Sequence, residues 1–252
     1  MIKFFRKIRQ SLLASGKTSK YLIYAIGEII LVVIGILIAL QINNVNELSK
    51  QNKLAETYEN SLISELKIDL KNIKRYDSIS TAFRIKNLDY LNYYRKQDRD
   101  ISIMNQKMDG IKNMGINKLS SSAYTIDDLI STGNLSLFSK EKKEAILKVK
   151  NILDFYDKAY DEEIQKWIQS TLEFQNAIDL TAFMGSMYLG IDPEDDKLED
   201  WRYNLESKPY RLFGNKAHAT LRNCNFQIAL LKVIKRESEN LLNILEKDEK
   251  NK

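Results

Sequence analysis

Cysteine and histidine are almost absent from this chain of 252 residues, which contains one of each. Because Cys224 is alone, no disulfide can form within the chain. A zinc site of the usual Cys and His kind, or a Ser-His-Asp triad, would depend on His218 alone. The patterns GxSxG, HExxH, GxxxxGK and GxGxxG do not occur. We therefore predict that the protein is not an enzyme, and we expect no catalytic residues, metal ligands or cofactors.

Proline and glycine are also scarce, which favours long helices. The two prolines are Pro193 and Pro209, and the six glycines after residue 42 are Gly110, Gly115, Gly133, Gly185, Gly190 and Gly214. Long stretches without either residue, and the lack of alternating strand-like segments, indicate an all-α fold. We expect residues 43–252 to form an antiparallel helical bundle, because a segment of this length can enclose one hydrophobic core.

One long apolar run stands out in this charged sequence. Residues 21–42 read YLIYAIGEIILVVIGILIALQI, and a helix of that length matches the hydrocarbon core of a bilayer, about 30 Å. Excluding Glu28 would leave residues 29–40, about 18 Å of helix, which is too short to span. We therefore predict a single transmembrane helix that acts as a signal anchor and includes Glu28. A cleaved signal peptide is the competing interpretation, although the run is long for one and residues 40–42 lack a small-x-small cleavage pattern.

The charge distribution predicts the orientation of this span. Residues 1–20 contain six Lys or Arg and no acidic residue, whereas residues 43–50 are nearly balanced. The positive-inside rule places the N-terminus in the cytoplasm and residues 43–252 on the other side. Subtracting the six cations and Glu28 from the totals of 39 basic and 34 acidic residues leaves 33 of each sign in the large domain. A neutral domain has no basic face for nucleic acid, so we expect no nucleic-acid partner.

The segment before the span has a second membrane feature. Ile2, Phe5, Ile8 and Leu12 recur at helical spacing, and basic or polar residues lie between them. We predict that residues 1–20 form a basic amphipathic cytoplasmic tail. Its membrane-surface contacts would be Lys3, Arg6, Lys7 and Arg9, which would bind the anionic inner leaflet. A disordered basic tail is the alternative.

The large domain is expected to begin with a helix that continues the span. This helix should cover about residues 46–96, and a break rich in Asn, Gly and Ser should follow near 97–120. Thr125 and Asp128 resemble a capping box at the start of a two-turn helix, which Gly133 would end.

Two further long helices are predicted. Ser139 is the expected N-cap of a helix over about residues 140–184. The apolar positions Ile146, Leu153, Tyr160, Trp167 and Phe174 recur along it every seven residues, as in a bundle. After a loop over residues 185–216, the last helix should bury one face, formed by Leu221, Cys224, Ile228, Leu231, Leu241 and Leu245.

Three stretches carry a resemblance to a known family. They are MIKFFRKIRQ at 1–10, YAIGEIILVVIGILIALQINN at 24–44 and AYTIDDLISTGNLSLF at 123–138. They resemble a family of uncharacterised single-span envelope proteins of Bacteroidota. In that family the Asn pair is usually followed by Trp, where this chain has Val45. The resemblance implies an inner-membrane location and a periplasmic helical domain over residues 43–252, and it supplies no active-site residues.

The span contains a candidate association face. Glu28, Gly35 and Ala39 fall on one side of a helix, and Gly35 and Ala39 form a small-xxx-small pair that permits close approach of two helix backbones. Because an ionisable group facing lipid is costly, this face is expected to contact another helix, most simply a second copy of the chain. In the alternative interpretation, Glu28 is protonated or snorkels toward the cytoplasmic headgroups.

These features predict a membrane-anchored interaction or scaffold subunit of a cell-envelope assembly. Its partners would be the lipid bilayer, further copies of itself and another envelope protein. Two alternatives remain: a ligand sensor with a periplasmic helical domain, and an ion-coupled energy-transducing subunit that uses Glu28. The last rests on layout alone.

Overall fold

The computed structural model describes residues 18–180 and 197–249. In these residues all regular secondary structure is helical, so the predicted all-α fold is confirmed. The chain divides into two compact units, Met1–Thr57 and Tyr58–Lys252, which are described separately below. The second unit is called the head.

The described residues contain five α-helices. They are α1 (Thr18–Tyr94), α2 (Ile101–Asp109), α3 (Tyr124–Ser131), α4 (Lys140–Gln175) and α5 (Lys208–Glu249). Two short 3-10 helices lie at Asn134–Leu137 and Lys197–Tyr203. Helix α1 covers both the predicted span and the predicted first helix of the large domain. It ends near the residue expected from the sequence.

Some predicted helix ends are confirmed. Ser139 caps α4, because its hydroxyl accepts a hydrogen bond from the backbone N–H of Lys142. Gly133 follows the last turn of α3 with a φ of 74°, a left-handed conformation that glycine adopts without strain.

Other predicted boundaries were wrong. The break over 97–120 contains α2, whose N-cap Asp100 accepts from Ile103 N–H. Helix α4 ends at Gln175 rather than at 184, and residues 181–184 lie outside the described residues. The loop predicted over 185–216 contains the second 3-10 helix and the first turns of α5. Thr125 lies inside α3 instead of capping it.

Contacts between helices define the topology of the head. Ser80 of α1 bonds to Gln227 of α5 and Lys67 of α1 to Glu246, so these two helices run antiparallel. Helix α4 runs parallel to α1 and antiparallel to α5. Its first turn contacts Glu59 of α1, whereas Phe174 near its end packs with Tyr90. The segment between α1 and α4 returns along the bundle, which allows both helices to run in the same direction.

Three apolar clusters fill the head. The first contains Leu62, Leu66, Ile146, Val149 and Leu241; the second Tyr90, Met104, Met108, Phe174 and Phe213; the third Ile73, Tyr156, Tyr160, Leu231 and Ile234. The predicted seven-residue stripe of α4 contributes to all three clusters, and Cys224, Leu231, Leu241 and Leu245 of α5 are buried as predicted.

Candidate functional site

The apolar part of α1 has no packing partner among the described residues. From residue 22 to residue 42 its Leu, Ile and Val side chains are exposed, and an 18-residue window in this helix has none of its surface buried. Among the described residues, this is the one helix long and apolar enough to cross a membrane. A surface of this size, exposed to water, would cost far more than a folded domain can offset.

The predicted association face lies within this exposed helix. Glu28 is half-buried, whereas Gly35 and Ala39 are exposed. A Cβ added at Gly35 would meet no atom within 4 Å, so that side of the helix is open to a close neighbour. The offsets of seven and eleven residues place all three on one side of α1. The surface-contact residues predicted in the tail, Lys3, Arg6, Lys7 and Arg9, lie outside the described residues.

In the head, the stretch at 123–138 that carries the family resemblance packs against α1. The hydroxyl of Tyr58 donates to Asp128 Oδ2 at 2.7 Å and accepts from Asn134 Nδ2 at 2.9 Å. The left-handed turn at Gly133 separates these two partners and returns Asn134 toward Tyr58. The stretch therefore has a structural role, which is to fix α3 and the following turn on α1.

Two carboxylates of α1 hold the returning segment in place. Glu65 accepts hydrogen bonds from the N–H and the hydroxyl of Thr125. Asp69, which is buried, accepts from the Ser121 hydroxyl at 2.5 Å and from the Ser122 N–H at 2.7 Å. Both carboxylates satisfy backbone donors that a loop buried against a helix would otherwise leave unpaired.

A buried ion pair joins the two parallel helices. Glu59 of α1 and Lys142 of α4 are bonded, with side-chain exposures of 10% and 8%. The sequence analysis missed this pair and the carboxylates above. The available signal was their spacing, because Glu59 and Asp69 fall at helical intervals from Leu62, Leu66 and Ile73 on the apolar face of α1.

Tyrosine hydroxyls anchor the middle of the returning segment. Tyr156 accepts a hydrogen bond from Leu119 N–H at 2.9 Å, and Tyr160 donates to the carbonyl of Asn117 at 2.9 Å. Burial, together with the neighbouring Tyr156, raises the pKa of Tyr160 well above its usual value. These side chains belong to the core and bond to backbone groups of the returning segment.

A groove of about 380 Å³ lies on the flank of the head, between the returning segment and α4. Lys118 contacts Asp157 and Asp161 at 3.1 and 2.8 Å. In the same groove Lys150 contacts Asp127 and Asp154 at 2.9 and 2.6 Å. Hydrogen bonds to Asp154 and Asp127 raise the pKa of Lys150. The signal missed in the sequence was the spacing 150, 154, 157 and 161, which repeats along one side of a helix.

The end of the head near the C-termini of α1 and α4 contains a dense aromatic cluster that surrounds the buried Lys216. Tyr90, Phe174 and Phe213 pack edge to face, and the Lys216 ammonium lies 5.6 Å from the Phe213 ring centre. Lys216 donates to the carbonyl of Lys112 at 2.8 Å. Burial lowers the pKa of Lys216 to about 8. The amine is enclosed by core residues, with the Phe174 and Phe213 rings beside it.

The lone cysteine and the lone histidine both lie on α5. No group of three or more His, Cys, Asp or Glu side chains there is arranged to hold a metal ion. Cys224 is buried in α5, and burial raises the pKa of its thiol to about 11. His218 is exposed on the same helix. The chain matches no protein-family model, no curated protein and no solved structure.

Proposed function

We propose that this protein is a membrane-anchored interaction or scaffold subunit of a cell-envelope assembly, and that it associates with copies of itself through its span. The observation that carries the proposal is the exposed apolar side of α1 over residues 22–42, which has no partner among the described residues. Covering each exposed Leu or Ile there contributes about 1.5–3 kcal/mol, so a bilayer is the natural environment of this segment.

Charge and resemblance support the proposed orientation and compartment. The six cations in residues 1–20 support a cytoplasmic N-terminus and a head on the periplasmic side of a bacterial inner membrane. The three stretches quoted above support membership of the single-span envelope family.

Membrane extraction and a topology reporter test this proposal. The full chain should remain in the membrane pellet at alkaline pH in carbonate and should dissolve in mild detergent. A reporter enzyme that is active only in the periplasm should be active when fused after residue 252, and a reporter that is active only in the cytoplasm should be inactive there. Two charged substitutions within the segment, Ile30→Lys and Ile34→Lys, should release the protein or prevent insertion. Matched substitutions Lys232→Ala and Lys235→Ala in the head should change neither result.

Purification in mild detergent then distinguishes a scaffold subunit, which has partners, from a membrane anchor that has none. We expect the full chain to elute as an oligomer. Another envelope protein should elute with it, in an amount no greater than one copy for each copy of this chain. Release by carbonate without detergent, or a mature N-terminus mapped to residues 40–50, would contradict the proposal.

A further inference from the structure

One exposed face of α1 in the head is strongly basic. The face consists of Lys67, Lys71, Lys74 and Arg75, which recur at helical spacing and are all exposed, and it is called the basic stripe below. Lys67 contacts Glu246 of α5 at 2.8 Å, but Lys71 and Lys74 form no ion pair with any described residue. Ile68 lies among these cations and is 49% exposed. The stripe therefore combines unneutralised positive charge with an apolar side chain.

A face of opposite sign lies along the groove, on α3 and α4: Asp127, Asp154 and Asp157 line the groove, and Asp161 lies one turn beyond Asp157 on α4. Asp127, Asp154, Asp157 and Asp161 form this acidic stripe, and Lys118 and Lys150 each contact two of them. Two cations against four carboxylates leave a net charge of −2. The carboxylate side chains are 56–63% exposed and the two lysines 28–32%, so the negative groups form the outer surface of the groove.

The two stripes lie in the same layer of the head. Ile73, between Lys71 and Lys74, packs in one core cluster with Tyr156, the neighbour of Asp157. Because α1 and α4 run parallel, residues that precede this layer on α1 lie beside residues that precede it on α4, and the same holds for the residues that follow it. Tyr124, beside the acidic stripe, is 72% exposed, and its neighbour Thr125 bonds to Glu65, less than one turn from Ile68. Each stripe thus has one exposed apolar side chain near the same end.

We propose that the basic stripe of one copy binds the acidic stripe of a neighbouring copy. Within the head the two stripes run in the same direction, because α1 and α4 are parallel, so two heads that lie side by side in the same orientation can align them. Lys71 and Lys74 would lie against the free carboxylate surface of the groove, and Ile68 would pack near Tyr124. This contact is heterologous, so it joins heads into a ring or a row.

This inference rests on the proposed function, because a common membrane anchor supplies the shared orientation. Exposed ion pairs are individually weak, and confinement in a membrane raises the effective concentration of the two heads. A contact built from such pairs weakens when salt screens the charges. We favour a second copy over a different protein as the partner of the basic stripe, since the complementary charge is already present on the same chain.

Disulfide crosslinking of full-length protein in membranes tests the contact. In a Cys224→Ala background, a chain with Ile68→Cys and a differently tagged chain with Tyr124→Cys are expressed together. The mixed pair should crosslink, and each variant expressed alone should not. About 0.5 M salt should lower the yield severalfold. Lys232→Cys on α5, paired with Tyr124→Cys, is the control and should give no product.

Charge reversal on each side decides whether the stripes hold the contact. Lys71→Glu with Lys74→Glu in the first chain, or Asp154→Lys with Asp157→Lys in the second, should each reduce the mixed crosslink at least several-fold. Combining both pairs of reversals should restore it. Reversing Lys232 and Lys235 instead should leave the yield unchanged.

Three outcomes would overturn the inference. They are the absence of a mixed crosslink, a mixed yield that charge reversal does not change, and equal crosslinking of Ile68→Cys chains with each other. If the Lys71 and Lys74 reversals release a different protein and no head crosslink forms, the stripe belongs to that partner. Crosslinking through Ala39→Cys, measured in the same membranes, distinguishes the two proposals. If this crosslink forms while the head crosslink does not, the span association is supported and only the head contact is rejected.

Discussion

Glu65 caps helix α3 from another helix. Its carboxylate accepts the backbone N–H of Thr125 at 3.1 Å and the hydroxyl of the same residue at 2.8 Å. Ala123, at the N-cap position of α3, provides no side-chain hydrogen bond, so this end of the helix depends on α1. The contact also fixes where the returning segment ends and α3 begins.

Replacing Glu65 should destabilise the head. Glu65→Ala leaves the donors at the start of α3 unpaired, and we expect a loss of about 1–3 kcal/mol in the free energy of unfolding. Glu239→Ala, at an exposed position of α5, should change it by less than about 0.5 kcal/mol. Urea unfolding of the full chain in detergent, followed by circular dichroism, measures both. Equal effects of the two variants would show that Glu65 is not a cap.

The buried pair of Glu59 and Lys142 should behave differently in single and double variants. Lys142→Met alone removes the ammonium that pairs with the buried Glu59 carboxylate and should cost about 3–5 kcal/mol. The double variant Glu59→Leu with Lys142→Met removes both charges and should recover most of that loss. The same unfolding measurement tests this, and additive losses in the double variant would refute the coupling.

Gly133 and Gly115 allow the effect of backbone conformation to be tested separately from packing. A Cβ would meet no atom within 4 Å at either position, but only Gly133 has a left-handed φ. Gly133→Ala should therefore destabilise the head by about 1–2 kcal/mol. Gly115→Ala should be neutral, or stabilising by about 0.5 kcal/mol. Thermal unfolding of both variants distinguishes strain from packing, and similar shifts would contradict this account.

Lys216 should make stability depend on pH in the mildly alkaline range. Below pH 8 the amine is charged in both states, and above it the folded state loses the proton while the unfolded state keeps it up to about 10.5. Stability should then rise by about 1 kcal/mol between pH 7 and 9. Lys216→Met should remove this rise and stabilise the head at pH 7 by about 1 kcal/mol.

The exposed Lys232 provides the control for this experiment. Lys232→Met should retain the alkaline rise in stability. The measurement should stop at pH 9, because ionisation of the Cys224 thiol in the unfolded state lowers stability above that value. A flat profile in the unaltered protein, or an unchanged rise in Lys216→Met, would assign the pH dependence to another group.

Periodicity predicted the long helices because their buried faces repeat over many turns. The Ser139 cap and the left-handed Gly133 were predictable because each uses local chemistry. The start of α5 was missed although Ser207 and Pro209 provide a recognisable signal: the Ser207 hydroxyl accepts the Tyr210 N–H at 3.3 Å, and proline suits a first turn. The short helix α2 is stabilised by Met104 and Met108 in the core, which local sequence alone does not reveal.

The interactions that hold the head together were less predictable from sequence. Glu65 meets Thr125, and Asp69 meets Ser121 and Ser122, across separations of more than 50 residues. Nothing local specifies such pairs. A charged residue on an apolar face shows only that a buried partner exists, and the partner is identified by the topology of the returning segment.

Cysteine crosslinking within the span tests the central claim most directly. Single cysteines at Gly35 or Ala39, in a Cys224→Ala background, should give crosslinked dimers in native membranes. Cysteines at Val33 or Leu37, on the opposite side of α1, should give little product. Equal crosslinking at all four positions, or none at any, would contradict association through the face that carries Glu28.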